Sequence, residues 1–70
     1  MKSYFRIHQI CTRPRPHTNT FHTWARDQSD AVNRARSMSS EHHHDDTWRA
    51  YWLRDERPQE QRREEDWIEL

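Results

Sequence analysis

Hydrophobic and polar residues alternate from Met1 to Cys11, which is the pattern of a β-strand that buries one of its faces. One side of this strand holds Phe5, Ile7 and Cys11, and the other holds Tyr4, Arg6 and His8. The alternation returns between Thr18 and Arg26, where Phe21, Thr23 and Ala25 oppose His22, Trp24 and Arg26. Two prolines in the connector 12–17 exclude it from a central strand. The sequence therefore predicts two antiparallel strands.

The pairing register of these strands must place both apolar faces on the same side of the sheet. Because the apolar residues are odd-numbered in both strands, opposed residues must have numbers with an even sum. One register that meets this condition is predicted here. It sets Ile7 against Thr23 and Phe5 against Ala25. On the other face it sets Arg6 against Trp24, with a cation–π contact, and His8 against His22.

A helix is predicted over residues 28–40. Asp27 is suited to accept hydrogen bonds from the amides of the first turn, and Asp30 adds a second acid near the positive end of the helix dipole. The apolar positions recur with helical spacing and form a narrow stripe of Ala31, Val32, Ala35 and Met38. Most of these side chains are small, so a large partner is expected beneath the helix.

The third strand, Thr47–Arg54, supplies large side chains. Trp48, Ala50 and Trp52 share one face, which we place under the helix; Arg49, Tyr51 and Leu53 share the other. From Pro58 the chain is nearly all charged residues and glutamine, and we predict a loop followed by a short strand, Glu65–Leu70, paired with the third strand. A C-terminal helix is the alternative.

The predicted fold is one small α+β domain, residues 1–70, in which a three- to four-stranded antiparallel sheet carries one helix on one face. The order is β-β-α-β-β. Leu, Ile, Val and Phe number only eight, but eight aromatic residues and a net charge of zero favour folding over disorder. The core is expected to be thin and led by aromatic side chains.

Charge is distributed unevenly along the chain. Residues 1–40 hold seven basic and two acidic side chains, whereas residues 41–70 hold five basic and ten acidic ones. The halves attract each other, which favours a compact monomer or a weak head-to-tail homodimer. No apolar run approaches the roughly 18 residues of a membrane span, and the N-terminus has no signal-peptide pattern. We therefore expect a cytoplasmic protein without membrane contact.

The run His42–Asp46 is the first candidate for metal chemistry. Its side chains suit zinc, nickel or copper, and His42 and His44 could converge with Asp45 or Asp46 as a third ligand. The alternative is a solvated loop between helix and strand. We favour the loop and expect neither a structural metal nor any other cofactor.

The single cysteine excludes an intrachain disulfide. Cys11 with His8 or His22 could form a nucleophile–base pair or half of a zinc site. The alternative is a small buried hydrophobe on the apolar side of its strand. The chain contains no glycine, so a glycine-rich phosphate loop is excluded. We expect a protein that is not an enzyme.

Aromatic and basic side chains share the face of the sheet away from the helix, next to the mobile positive charge of the loop Arg13–His17. Such a face suits either a protein partner or single-stranded nucleic acid, and its structural alternative is a self-stabilising surface. The candidate binding residues are Arg6, His8, Arg13, Arg15, His22, Trp24, Arg26, Arg49 and Tyr51.

The order of elements resembles that of small phage proteins, and most of all short anti-CRISPR proteins of the β-β-α-β-β kind that act on type I surveillance complexes. The resemblance is carried by the patterns of Tyr4–Ile10, Phe21–Ala35, Trp48–Leu53 and Trp67–Leu70, about half the chain. It implies a non-catalytic inhibitor that binds a host protein or ribonucleoprotein complex in the bacterial cytoplasm and obstructs pairing of guide RNA with target DNA. No individual contact residue carries over from the family.

Overall fold

A computed structural model describes residues 1–70 and contains four strands and one helix. Two single-turn 3₁₀ helices, Gln59–Gln61 and Glu64–Asp66, precede the last strand. The main elements are β1 (Ser3–Cys11), β2 (His17–Ala25), α1 (Gln28–Met38), β3 (Thr47–Leu53) and β4 (Trp67–Glu69). The predicted α+β class and the order β-β-α-β-β are confirmed. The C-terminal strand also forms, although it is shorter than predicted.

The sheet is antiparallel throughout, with the strands in the order β2-β1-β3-β4. The predicted faces of β1 and β2 are correct, but the predicted register is wrong by two residues. Ile7 lies opposite Phe21 instead of Thr23, and Arg6 lies opposite His22 instead of Trp24. This register opposes two large apolar residues at the centre of the covered face, and it starts β2 at His17.

Asp27 caps the helix as expected, because its Oδ1 accepts a hydrogen bond of 2.8 Å from the backbone N–H of Asp30. The buried side of α1 holds Ala31 and Ala35, with Val32 partly buried beside them. Met38 is half exposed, which corrects its predicted place in the apolar stripe. The helix ends at this residue, so its last side chain extends beyond the core.

Alanine forms most of the core beneath the helix. The six buried residues that pack together are Phe5, Ile7, Ala25, Ala31, Ala35 and Ala50. Trp48 packs against this cluster, as predicted, but Trp52 at the other end of β3 remains 36% exposed. The helix lies mainly over β2, so small side chains allow close packing there and leave the far side of the sheet less covered.

Candidate functional site

The face of the sheet away from the helix carries an aromatic–arginine cluster, made of Tyr4, Arg6, His22, Trp24, Tyr51 and Trp67. Strand alternation places these side chains on one face, as predicted for the first five. The Arg6 guanidinium lies 4.9 Å from the centroid of the Tyr51 ring and 4.8 Å from that of Trp67. The predicted cation–π contact with Trp24 does not form, since the true register opposes Trp24 to Tyr4.

The segment before β4 folds back over this cluster. Glu64 forms an ion pair with Arg6, whose side chain is only 16% exposed, and the Arg62 guanidinium lies 4.9 Å above the Tyr4 ring. The hydrogen bond from Arg6 lowers the pKa of the Glu64 carboxyl. The face predicted to be open is therefore partly covered by the chain's own charged segment. Trp24 remains 47% exposed, and His22 on the same strand is exposed as well.

The other predicted binding residues are dispersed. Arg13 and Arg15 lie in the exposed β1–β2 loop, where Arg13 is 3.4 Å from an oxygen of Asp45. Arg26 lies near Asp30 at 3.9 Å, and Arg49 near Glu69 at 3.6 Å. These ion pairs are exposed and contribute little to stability. The His8 ring contacts the Tyr51 ring at a tilt of 58°, with the ring centroids 4.9 Å apart.

Two histidines of this face have a lowered pKa. Burial disfavours the charged form of both His8 and His22, and the nearby Arg6 guanidinium adds electrostatic repulsion. Arg62 contributes further to the effect on His22. Neither histidine shares a face with Cys11, because they occupy even positions and Cys11 an odd one. The alternative of a Cys11 pair with His8 or His22 is therefore wrong.

An apolar strip, defined by Trp52, Ile68 and Leu70, lies on the helix side of the sheet where the helix does not reach. Trp52 pairs with Ile68 across β3 and β4, and the Leu70 N–H donates to the Ala50 carbonyl at 3.0 Å. The three residues are exposed by 36%, 36% and 52%, respectively. The sequence reasoning missed this strip because it placed Trp52 beneath the helix.

A second missed feature is a buried polar network around Gln9, which interrupts the apolar side of β1. The Gln9 Nε2 donates to the Glu41 carbonyl and to the Asp46 carboxylate, both at 2.8 Å. Its Oε1 accepts from the Ser39 hydroxyl at 2.7 Å and from Asn19 at 3.2 Å. The signal in the sequence was one polar residue at an inward position of an otherwise apolar strand face.

Hydrogen bonds of this network hold Asp46, the last residue of the run His42–Asp46, against the sheet. His42 and His44 are exposed, as expected for a solvated loop, but Asp46 is drawn against Gln9, and its side chain is only 1% exposed. Burial opposes ionisation of Asp46, yet hydrogen bonds from Gln9 and from the His43 backbone outweigh it and lower the pKa of the carboxyl. The prediction of a fully solvated loop is therefore wrong at Asp46, and His43 is only partly exposed.

Cys11 is buried beside this network, which agrees with the prediction of a small buried residue. Burial and the neighbouring carboxylates raise the pKa of its thiol. His17 lies across the strand pair from Cys11 and bonds to Glu41, with its Nε2 2.9 Å from the nearer carboxylate oxygen. The Arg15 carbonyl and the Glu41 carboxylate raise the pKa of His17.

No protein-family model, curated protein or solved structure matches the chain. The one helix is neither long nor apolar enough to cross a membrane. The candidate sites must therefore be judged on their own chemistry. They are the aromatic–arginine cluster, the apolar strip and the polar cluster around Cys11.

Proposed function

We propose that the protein is a non-catalytic binding protein of the cytoplasm, which attaches to a protein surface through the apolar strip. The observation that carries the proposal is the exposure of Trp52, Ile68 and Leu70 together on one side of the β3–β4 edge. The chain has few large apolar residues for its core, yet these three side chains lie outside the core, which is a reason to expect a partner that covers them. Tryptophan is among the residues that contribute most to protein–protein binding.

The strip has the anatomy of the centre of an interface. Its middle is apolar, and charged side chains at the strand ends, such as Arg54 and Asp55, form a polar rim. A standard interface takes roughly 800 Å² from each partner. The protein exposes 5112 Å² in all, so a partner centred on Trp52 would cover a modest part of it.

The aromatic–arginine cluster favours a protein partner over direct nucleic-acid binding. Single-stranded nucleic acid needs free aromatic faces for stacking and free cations for phosphates. Here the Arg62 guanidinium covers Tyr4, and Arg6 is already neutralised by Glu64. An incoming phosphate would have to displace a carboxylate that belongs to the protein.

The resemblance to anti-CRISPR proteins supplies the partner class. Such a protein would bind a type I surveillance complex of a bacterial host and prevent target DNA from pairing with the guide RNA. The apolar strip would contact a protein subunit of that complex, whereas Arg13 and Arg15 lie in the exposed β1–β2 loop at the other end of the sheet.

The test is inhibition of DNA binding by purified type I surveillance complexes. Labelled target DNA is titrated with each complex in the presence of the full chain, and the bound fraction is measured by mobility shift. We expect inhibition of at least one complex. Trp52→Ala should raise the half-inhibitory concentration by roughly tenfold or more, the effect of losing a central anchor.

Trp24→Ala is the matched control, because it removes an exposed tryptophan from the opposite face. Its inhibition should stay close to wild type. If Trp24→Ala abolishes inhibition and Trp52→Ala does not, the contact surface is the aromatic–arginine cluster instead. If no complex is inhibited and the chain alone binds oligonucleotides with steep salt dependence, direct nucleic-acid binding replaces the proposal.

A further inference from the structure

Metal-ligating side chains surround Cys11 at the end of the sheet remote from the apolar strip. The strand register explains the arrangement. Cys11 pairs with His17 of β2, and extending the β1–β3 register from Ile10 and Thr47 by one residue places Asp46 on the other side of Cys11. The loop after the helix then turns back and adds His43, whose carbonyl accepts from the Asp46 N–H at 3.4 Å.

The ligand atoms of three of these residues converge. The Cys11 Sγ, a ring nitrogen of His43 and a carboxylate oxygen of Asp46 all lie within 4.8 Å of one another. The His43 Nδ1 is 3.4 Å from the Asp46 Oδ1. Metal–ligand bonds of about 2.0–2.3 Å separate the ligands of a tetrahedral ion by roughly 3.5 Å. Only a small contraction is therefore needed to close the three atoms around one ion.

One polar atom of His43 and one of Asp46 are buried without a hydrogen-bond partner. The Asp46 Oδ2 accepts from Gln9 at 2.8 Å and from the His43 backbone at 3.1 Å, whereas its Oδ1 and the His43 Nδ1 have no partner. The Asp46 side chain is 99% buried by area, being 1% exposed. Buried polar atoms are nearly always paired, and leaving them unpaired costs stability. A cation between them and the thiol would satisfy both.

We propose that Cys11, His43 and Asp46 bind a divalent transition-metal ion of the zinc type. Thiolate, imidazole and carboxylate together form the donor set that Zn²⁺ prefers. On binding, the Cys11 thiol loses its proton to solvent and its sulfur bonds to the ion. Gln9 fixes the Asp46 carboxylate from the second oxygen, as outer groups do at metal sites.

Solvent can reach the site and supply the fourth ligand. His17 and Glu41 have ligand atoms within 4.8 Å of one another and of the Cys11 Sγ, but they form a separate group on the β2 side of the cysteine, so water completes the coordination. A surface depression of about 270 Å³, lined in part by His42, His43, His44 and Asp46, leads from solvent toward the ligands. This site differs from the candidate considered in the sequence analysis, which used His42 and His44 and was set aside there in favour of a solvated loop.

The wild-type chain without an affinity tag provides the first test. Co²⁺ is added and the absorption spectrum recorded, then Zn²⁺ is used to displace it and to measure the stoichiometry by calorimetry. We expect one ion per chain and a thiolate-to-cobalt charge-transfer band. Because Cys11 is the only cysteine, this band can arise from no other residue. Zn²⁺ should also raise the melting temperature.

The three consecutive histidines offer a matched set of variants. His43→Gln should weaken binding at least tenfold, and Cys11→Ser should abolish the charge-transfer band. His42→Gln and His44→Gln should leave both unchanged. Circular dichroism without metal shows whether each variant folds, and the wild-type spectrum still decides the question if Cys11→Ser or Asp46→Asn does not fold.

Three results would overturn the inference: no charge-transfer band, no zinc binding, or binding lost in His42→Gln or His44→Gln but kept in His43→Gln. The first and third would mean that the exposed histidines chelate metal adventitiously. The absence of zinc binding would mean that a proton, and not a metal ion, lies between the His43 Nδ1 and the Asp46 carboxylate. None of these results bears on partner binding through Trp52, which lies at the opposite end of β3.

Discussion

The two faces of the sheet are held by different forces. On the helix side, Phe5 and Ile7 are buried against alanines of the helix and neighbouring strands, so hydrophobic burial and close packing dominate. On the other side, aromatic rings, guanidinium groups and one ion pair lie half exposed over β1. The covering segment there is charged and contains no stripe of apolar residues.

This difference separates a fixed core from a lightly held surface. Apolar groups sealed from water cannot be exchanged without a large loss of stability, whereas exposed cation–π and ion-pair contacts are each worth about 1 kcal/mol or less. We therefore expect substitutions on the two faces to have effects of unequal size. Three experiments, ordered by expected effect, test that expectation.

Ile7 and Ile10 offer the sharpest test, since they are the same residue on opposite faces of one strand. Ile7 is fully buried and Ile10 only partly. Ile7→Ala should reduce the free energy of unfolding by about 2–5 kcal/mol, whereas Ile10→Ala should cost about 1 kcal/mol. Urea denaturation followed by tryptophan fluorescence measures both. Ile7→Val provides a milder change if Ile7→Ala does not fold, and equal losses at the two sites would refute the contrast.

A double-mutant cycle on Arg6 and Glu64 measures how firmly the charged segment is held. We expect a coupling free energy of roughly 0.5–1 kcal/mol, because the Glu64 side chain is 72% exposed. Arg6→Ala alone should cost more than Glu64→Ala, since Arg6 also covers the Tyr51 and Trp67 rings. A coupling well above 2 kcal/mol would instead show a rigid lid over the cluster.

The smallest expected effect is the pH dependence that His8 and His22 confer. Their pKa values lie below 6.5 in the folded chain, so the unfolded chain binds more protons as the pH falls through that value. Their contribution to stability is complete above pH 6.5 and is lost below it. The pKa of His17 is raised, so His17 acts in the opposite direction. Its contribution to the stability of the folded chain increases as the pH falls.

Because these effects oppose each other, the experiment compares variants with wild type. The melting temperature of each protein is measured at several pH values from about 8 down to about 5.5. The melting temperature of the double variant His8→Gln, His22→Gln should fall less on acidification than that of wild type. His44→Gln, an exposed histidine outside the cluster, is the control and should follow wild type. A double variant that falls as steeply as wild type would show that these histidines do not sense pH.

Much of the fold followed from local patterns. Alternation fixed the faces of β1 and β2, the acid at Asp27 fixed the start of the helix, and the Trp-rich segment was recognised as a strand. The register was wrong by two residues because face parity allows every even shift, and only side-chain packing selects one of them. The candidate site was predicted less well, since aromatic and basic residues indicate a surface without showing what covers it.

The sequence by itself determined which side chains share a face, because strand and helix periodicities are properties of the local backbone. It therefore gave the composition of the helix-free face and the buried position of Cys11. Only the tertiary structure decided that Glu64 pairs with Arg6, that the helix leaves Trp52 uncovered, and that His43 and Asp46 lie beside Cys11. Each of those outcomes depends on how parts of the chain that are far apart in sequence are placed. Such contacts depend on register, helix placement and loop path, which no local pattern encodes.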